Sequence, residues 1–139
     1  MKIDTGSEFG ARVVRRLTDE TIGWLTTVGP DGTPHPSPIW FLWDGETALI
    51  YSQPNTPKLR HIAANPQASL NLDGNGRGGD IVILTGEARI DEAAPASDAL
   101  PAYQAKYAQG IRQLGMTAER FAQAYSVAIR FTPQRLRGH

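Results

Sequence analysis

The stretch Tyr51-Ser52-Gln53-Pro54-Asn55-Thr56-Pro57-Lys58-Leu59-Arg60 concentrates groups able to hold an anion. A strand end delivers hydroxyl and amide side chains into a loop. The helix that follows presents backbone N–H groups, with Lys58 in its first turn and Arg60 close behind. Unpaired first-turn N–H groups beside a cation can hold a phosphate. The same residues also read as ordinary helix capping by Asn55 or Thr56 with two surface cations, and spacing leaves both readings open.

Other chemistry-bearing patterns are weaker. Gly74-Asn75-Gly76-Arg77-Gly78-Gly79 spells a G-x-G-x-x-G after a strand, but it runs into Ile81-Val82-Ile83 and not into the helix a dinucleotide needs. Asp73 and Asn75 sit like the first ligands of a calcium loop, yet Arg77 and Leu84 occupy later ligand positions. The loop is expected to be a hairpin tip, with Arg77 reaching toward a ligand or a partner chain. His35, His61 and His139 have no metal-ligand spacing, so no metal site is expected. No serine sits in a nucleophile elbow, Asp19-Glu20 and Asp91-Glu92 fall at strand ends, and no obligatory catalytic side chain stands out.

Trp24, Trp40, Phe41 and Trp43 gather three tryptophans and a phenylalanine on two neighbouring strands. Strand neighbours point to opposite faces. Trp24 is expected to fill the core, and one of Trp40 and Trp43 to face outward, against a partner subunit or a flat ligand.

The elements that carry these residues follow from periodicity and punctuation. Val13, Val14 and Leu17 among Arg12, Arg15 and Arg16 predict a short amphipathic helix over Ala11 to Leu17. Ile22 to Val28 reads as a strand closed by the turn Gly29-Pro30-Asp31-Gly32. Pro34, Pro36 and Pro38 turn their missing amides one way, so the strand they occupy can pair on one side only. That strand is expected to run on through Ile39-Trp40-Phe41-Leu42-Trp43, with Ala48 to Ser52 returning to complete a three-stranded meander. Lys58 to Ala64 suggests a helix entered through Pro57. A long hairpin over Ala68 to Ile90 should bend at Gly86. Leu100, Tyr103, Tyr107, Ile111 and Leu114 form a helical stripe. Thr117 caps a second helix, and Ser126 to Thr132, extended through Arg135-Leu136-Arg137, is the last strand. About six strands with few helices predict a small, mainly β barrel. Gly6-Ser7-Glu8-Phe9 has the look of a fusion scar, so residues 1–9 are expected to lie outside a single domain over 10–139.

Composition narrows the classes. Fourteen Lys+Arg balance fourteen Asp+Glu in 139 residues, a formal net charge of +0, which argues against a nucleic-acid coat. Without cysteine there is no disulfide framework, thiolate metal site or thiol nucleophile. No apolar run approaches the roughly 18 residues that span a bilayer, and a cytoplasmic location is expected.

From Thr21 to Arg137 the chain resembles the split-β-barrel flavin/deazaflavin oxidoreductases related to pyridoxamine 5′-phosphate oxidase. The resemblance is carried in order by Gly23-Trp24-Leu25-Thr26-Thr27-Val28, Asp31-Gly32-Thr33-Pro34-His35, Ser37-Pro38-Ile39-Trp40-Phe41, Leu49-Ile50-Tyr51-Ser52, Lys58-Leu59-Arg60-His61-Ile62 and Asn65-Pro66-Gln67-Ala68-Ser69-Leu70. Trp40 to Gly45 and the loop Asp73 to Asp80 look closest to the actinobacterial branch that uses coenzyme F-420. The resemblance implies a six-stranded, Greek-key, FMN-binding-like split barrel with short flanking helices. It also implies a homodimer with a cofactor cleft where the subunits meet. Ser37, Pro38, Ile39 and Trp40 then line the isoalloxazine-type ring. Ser52, Gln53, Asn55 and Lys58 lie near the ribityl phosphate, with Arg60 a further candidate; His61 stands where family members often carry asparagine. The implied activity is hydride transfer from reduced deazaflavin to a flat, electron-poor small molecule. The alternatives are FMN in the same fold, or a non-catalytic cofactor- or tetrapyrrole-binding protein. A small barrel stacking single-stranded nucleic acid on Trp40 and Trp43 is a different class, disfavoured by the zero net charge.

Overall fold

The computed structural model describes residues 1–139. In chain order it contains α1 (Glu8–Asp19), β1 (Gly23–Val28), β2 (Pro34–Ile39), β3 (Leu42–Trp43), β4 (Ala48–Ser52), α2 (Pro57–Ala64), β5 (Gln67–Asn71), β6 (Val82–Ile90), α3 (Pro101–Gln113), α4 (Ala118–Ala124) and β7 (Val127–Gly138). All seven strands belong to one antiparallel sheet ordered β2-β1-β5-β6-β7-β4-β3.

The two edge strands, β2 and β3, are consecutive in the chain and separated only by Trp40 and Phe41. Two residues can bridge roughly 11 Å at most, so the ends of the sheet are drawn together and it curls into a split barrel. The expected meander holds at its two ends, where β2 pairs with β1 and Leu42-Trp43 pairs with β4, but it is corrected between them: β4 takes β7 on its other side, and the run through Ile39 to Trp43 breaks at Trp40-Phe41. That break makes seven strands where six were expected. Its cause is long-range, because the Tyr107 hydroxyl accepts the Phe41 N–H at 2.8 Å and takes it out of any ladder.

The prolines behave as their chemistry requires. Pro34, Pro36 and Pro38 lie opposite Val28, Thr26 and Trp24, and β2 has β1 as its single partner. β6 shifts register between Thr85 and Gly86, where a Cβ on Gly86 would lie 2.1 Å from the Thr132 carbonyl oxygen. Only glycine lets β7 approach that closely.

Residues 39–43 alternate between two cores. Ile39, Phe41 and Trp43 point into the barrel, with Leu25, Ile50, Leu70, Leu84, Ile129 and Phe131, and Val13 and Leu17 of α1 join them. Trp40 and Leu42 point outward, to a second cluster of Leu49, Tyr51, Tyr103, Tyr107, Ile111 and Phe121 that buries the stripe of α3 and the apolar side of α4. β4 is buried on both faces for this reason. Trp40 and Trp43 thus separate outward and inward as expected. Trp24 does not fill the barrel: β1 turns Gly23, Leu25 and Thr27 inward, and the half-buried Trp24 Nε1 donates to the Asp73 carboxylate at 3.1 Å.

Residues 1–9, expected outside the domain, pack on it. Ile3 is in the barrel core, Phe9 lies against it, and the Ser7 hydroxyl accepts the Gly10 N–H at 2.9 Å to cap α1 three residues earlier than expected. The glycine loop is a hairpin tip between β5 and β6, with its Asp73 and Asp80 carbonyls held by the Arg16 guanidinium.

The Gly86 contact yields a direct test. Gly86→Ala must push β7 away from β6 and should cost about 3 kcal/mol, the upper end of ordinary overpacking. Urea unfolding measures it, and a loss under about 0.5 kcal/mol, the size of a neutral surface change, would contradict the close approach.

Candidate functional site

A cavity of about 340 Å³ opens on the outer face of the barrel, where the C-terminal ends of β2 and β4 meet α2, α3 and α4. Pro38, Ile39 and Trp40 supply one wall. Tyr51, Ser52 and Gln53 supply the next, and Thr56 and Lys58 the polar end. Tyr103, Leu114, Phe121 and Tyr125 form the helical side, with Ile22 at the mouth.

The polar end is built by a tight reversal. Asn55 adopts φ of 65°, a left-handed conformation that asparagine tolerates, and Pro57 opens α2 at its first position. Thr56 makes no side-chain cap; its hydroxyl is 3.1 Å from the Ser52 hydroxyl, which lies 2.8 Å from the Gln53 carbonyl. The first-turn Lys58 N–H has no intrahelical acceptor by geometry. The Lys58 side chain is half-buried and joins none of the ion pairs, which are Arg16–Glu20, Arg89–Glu87 and Arg130 with Asp44 and Asp91. Burial pulls its ammonium below the usual lysine range.

The apolar end is a run of rings. Trp40 stacks on Tyr107 at 4.7 Å and 7° and on Phe121 at 5.5 Å and 19°, and Phe121 stacks on Tyr125 at 4.4 Å. Tyr51 meets Tyr103 edge-on at 5.1 Å, and its hydroxyl donates to the Pro95 carbonyl at 2.7 Å. Burial raises both phenols above their usual range, so they stay neutral donors. The arrangement suits a flat apolar ring with an anionic tail.

Of the residues singled out in the sequence, Pro38, Ile39, Trp40, Ser52, Gln53 and Lys58 line this cavity. Ser37, one residue before Pro38 and opposite Leu25, does not. Asn55 and Arg60 are exposed, and the Arg60 guanidinium donates to the Asn55 carbonyl at 3.0 Å, which ties both to the loop and away from the cavity. His61 also points elsewhere, with its Nδ1 2.9 Å from the Thr27 hydroxyl and its ring 4.7 Å from that of His35. Sequence reasoning missed the helical side as a site. Tyr103 and Leu114 belong to the predicted stripe, and Phe121 and Tyr125 lie at i,i+4 in the predicted second helix, but burial and cavity lining share that signature. A base-stacking platform on Trp40 and Trp43 is excluded, since Trp43 is 8% exposed inside the barrel.

The sequence profile described as pyridoxamine 5′-phosphate oxidase matches residues 9–139. The chain belongs to the pyridoxamine 5′-phosphate oxidase family. Among solved structures, a conserved hypothetical protein from Mycobacterium tuberculosis is similar at a TM-score of 0.72 and 24% identity, over 94% of this chain and 82% of that one. An F-420 reductase is similar at 0.64 and 23%, over 88% and 94%. HutZ, a haem storage protein from Vibrio cholerae, is similar at 0.64 and 16%, over 99% and 95%. At these identities the likeness establishes the fold alone. None of the proteins of curated function matches the sequence.

In this member of the pyridoxamine 5′-phosphate oxidase family, the unpaired Lys58 carries a stability signature. The folded protein holds the ammonium below its ordinary value and the unfolded chain does not, so between the two values the unfolded chain binds more protons. This group's contribution to stability therefore rises with pH through that window. Lys58→Met should remove its share of the rise and keep or increase the urea midpoint at pH 7; a fall in the midpoint would show that the cation has a stabilising partner.

Proposed function

We propose that the cavity holds the ring and phosphate tail of a deazaflavin or flavin, and that the protein is an oxidoreductase using coenzyme F-420, with FMN the alternative. The observation that carries this reading is Lys58: a half-buried ammonium with no carboxylate partner, at one end of an aromatic cavity. A desolvated cation of this kind is stabilised when an anion arrives. Gln53, Ser52 and Thr56 surround the same end with an amide and two hydroxyls.

The donor set fits such a cofactor, which when bound supplies the hydride chemistry. Trp40, Ile39 and Pro38 offer a flat flank, the tyrosines keep water from it, and Lys58 anchors the tail. The acceptor under this reading is a flat, electron-poor small molecule, and no side chain of this protein need move a proton. The fold of the F-420 reductase and the sequence resemblance favour deazaflavin over FMN. A tetrapyrrole is less well served, because the lining offers no imidazole, thiolate or thioether to an iron, and burial disfavours the phenolate form of Tyr51 and Tyr103.

A volume of about 340 Å³ is near the lower limit for ligand pockets, about 300 Å³. Ile22 and Leu114, 37% and 53% exposed at the mouth, leave an apolar rim. We infer a homodimer in which a second copy covers that rim and completes the cleft, acting in the cytoplasm. No helix is long and apolar enough to cross a membrane.

Titration of the purified protein with F-420 and, separately, FMN, followed by tryptophan quenching, tests the reading. Lys58→Ala should weaken binding about tenfold or more, the loss of one charge-assisted hydrogen bond. Equal affinity in parent and variant would place the phosphate elsewhere.

A further inference from the structure

The crossing between the two sheet edges is held by one side chain whose role reaches the cavity. The Tyr107 hydroxyl accepts the Phe41 N–H at 2.8 Å and lies 2.7 Å from the Thr21 carbonyl and 2.9 Å from the Phe41 carbonyl. A hydroxyl has a single proton to give, so Tyr107 cannot satisfy both carbonyls. Lys106 resolves the conflict: its Nζ donates to the Phe41 carbonyl at 2.8 Å, which leaves the Tyr107 proton for Thr21. The ammonium sits 4.0 Å from the centre of the Phe41 ring, and burial lowers it to about 8 against the opposing pull of Asp19 and Glu20.

Each segment tied by this hydroxyl contributes a neighbouring wall residue. Thr21 precedes Ile22, and Phe41 follows Trp40, whose indole lies stacked on the Tyr107 ring itself. About one turn on from Tyr107 in α3, Gly110 lies under Trp40, where a Cβ would come within 3.0 Å of the indole. Gly110 and the locked Tyr107 ring thus seat the Trp40 indole between the crossing and α3.

We propose that Tyr107, with Lys106 completing its hydrogen bonds, is the positioning residue that holds Trp40 and Ile22 as the cavity's wall and so sets ligand affinity without touching the ligand. The affinity part rests on the cofactor reading above; the wall part does not.

Tyr107→Phe tests it, since the variant keeps the ring under Trp40 and deletes the hydroxyl. The Phe41 amide should exchange with solvent at least tenfold faster by NMR. In a Trp24→Phe background, acrylamide should quench the remaining tryptophans more strongly, and affinity for FMN and for F-420 should fall about tenfold. Arg130→Met, which breaks the remote contacts with Asp44 and Asp91, is the control for lost stability and should change none of the three. An unchanged Phe41 amide, unchanged quenching, or unchanged affinity beside a faster amide would each overturn the proposal. If the parent binds neither cofactor, the cofactor reading fails, and amide exchange and quenching alone decide the wall part. Should Tyr107→Phe not fold, Lys106→Met replaces it with the same signs at about two- to threefold, and no change there overturns the proposal.

Discussion

Two residues join the two ends of the sheet, and much of the structure depends on that short crossing. Trp40 and Phe41 cannot span an open sheet, so the seven strands must curl until β2 and β3 approach. Because successive side chains alternate, the same crossing sends Phe41 into the barrel and Trp40 out of it. Outside, Trp40 needs cover, and α3 and α4 provide it with a layer of aromatic rings. The cavity is what that layer leaves open between the crossing, the end of β4 and the start of α2.

The site combines features that stability alone would not select. Trp40, Tyr103 and Phe121 repay their ordering through buried apolar area. Lys58 gives no such return: desolvated and without a counter-ion, it is tolerated at a cost that an arriving anion removes. Arg60, two residues on, shows the contrasting solution, exposed and satisfied by the Asn55 carbonyl. The difference between these two cations supports the phosphate reading proposed above over simple capping more than the loop's composition does.

Much of this was legible in the residues. The β-branched runs located the strands, and the alternate prolines marked an edge strand with one partner. Gly86 marked the bend and Thr117 the cap of α4, where its hydroxyl accepts the Arg120 N–H at 3.1 Å. What escaped was decided at a distance. The break at Trp40-Phe41 depends on a hydroxyl 66 positions later in the chain, and no local pattern encodes it. Trp24 was assigned the wrong face because glycine at 23 carries no hydropathy signal to set the phase of β1. Ile3 was lost among polar neighbours that look like a tail. Six of the proposed site residues reached the cavity because they adjoin a strand end or helix start there. Ser37 shares the face of Ile39 but lies two residues short of it, before the strand end that lines the cavity, and the Arg60 guanidinium is satisfied by the Asn55 carbonyl.

The central claim is that an anionic tail sits at Lys58 while a flat ring lies along Pro38 to Trp40. A crystal structure of the protein grown with FMN, and another with F-420, tests it most directly. The account predicts a phosphate oxygen within hydrogen-bonding distance of Lys58 Nζ and the ring plane beside the Trp40 wall. A well-ordered cofactor bound elsewhere, or one in this cavity whose phosphate avoids Lys58, would contradict it.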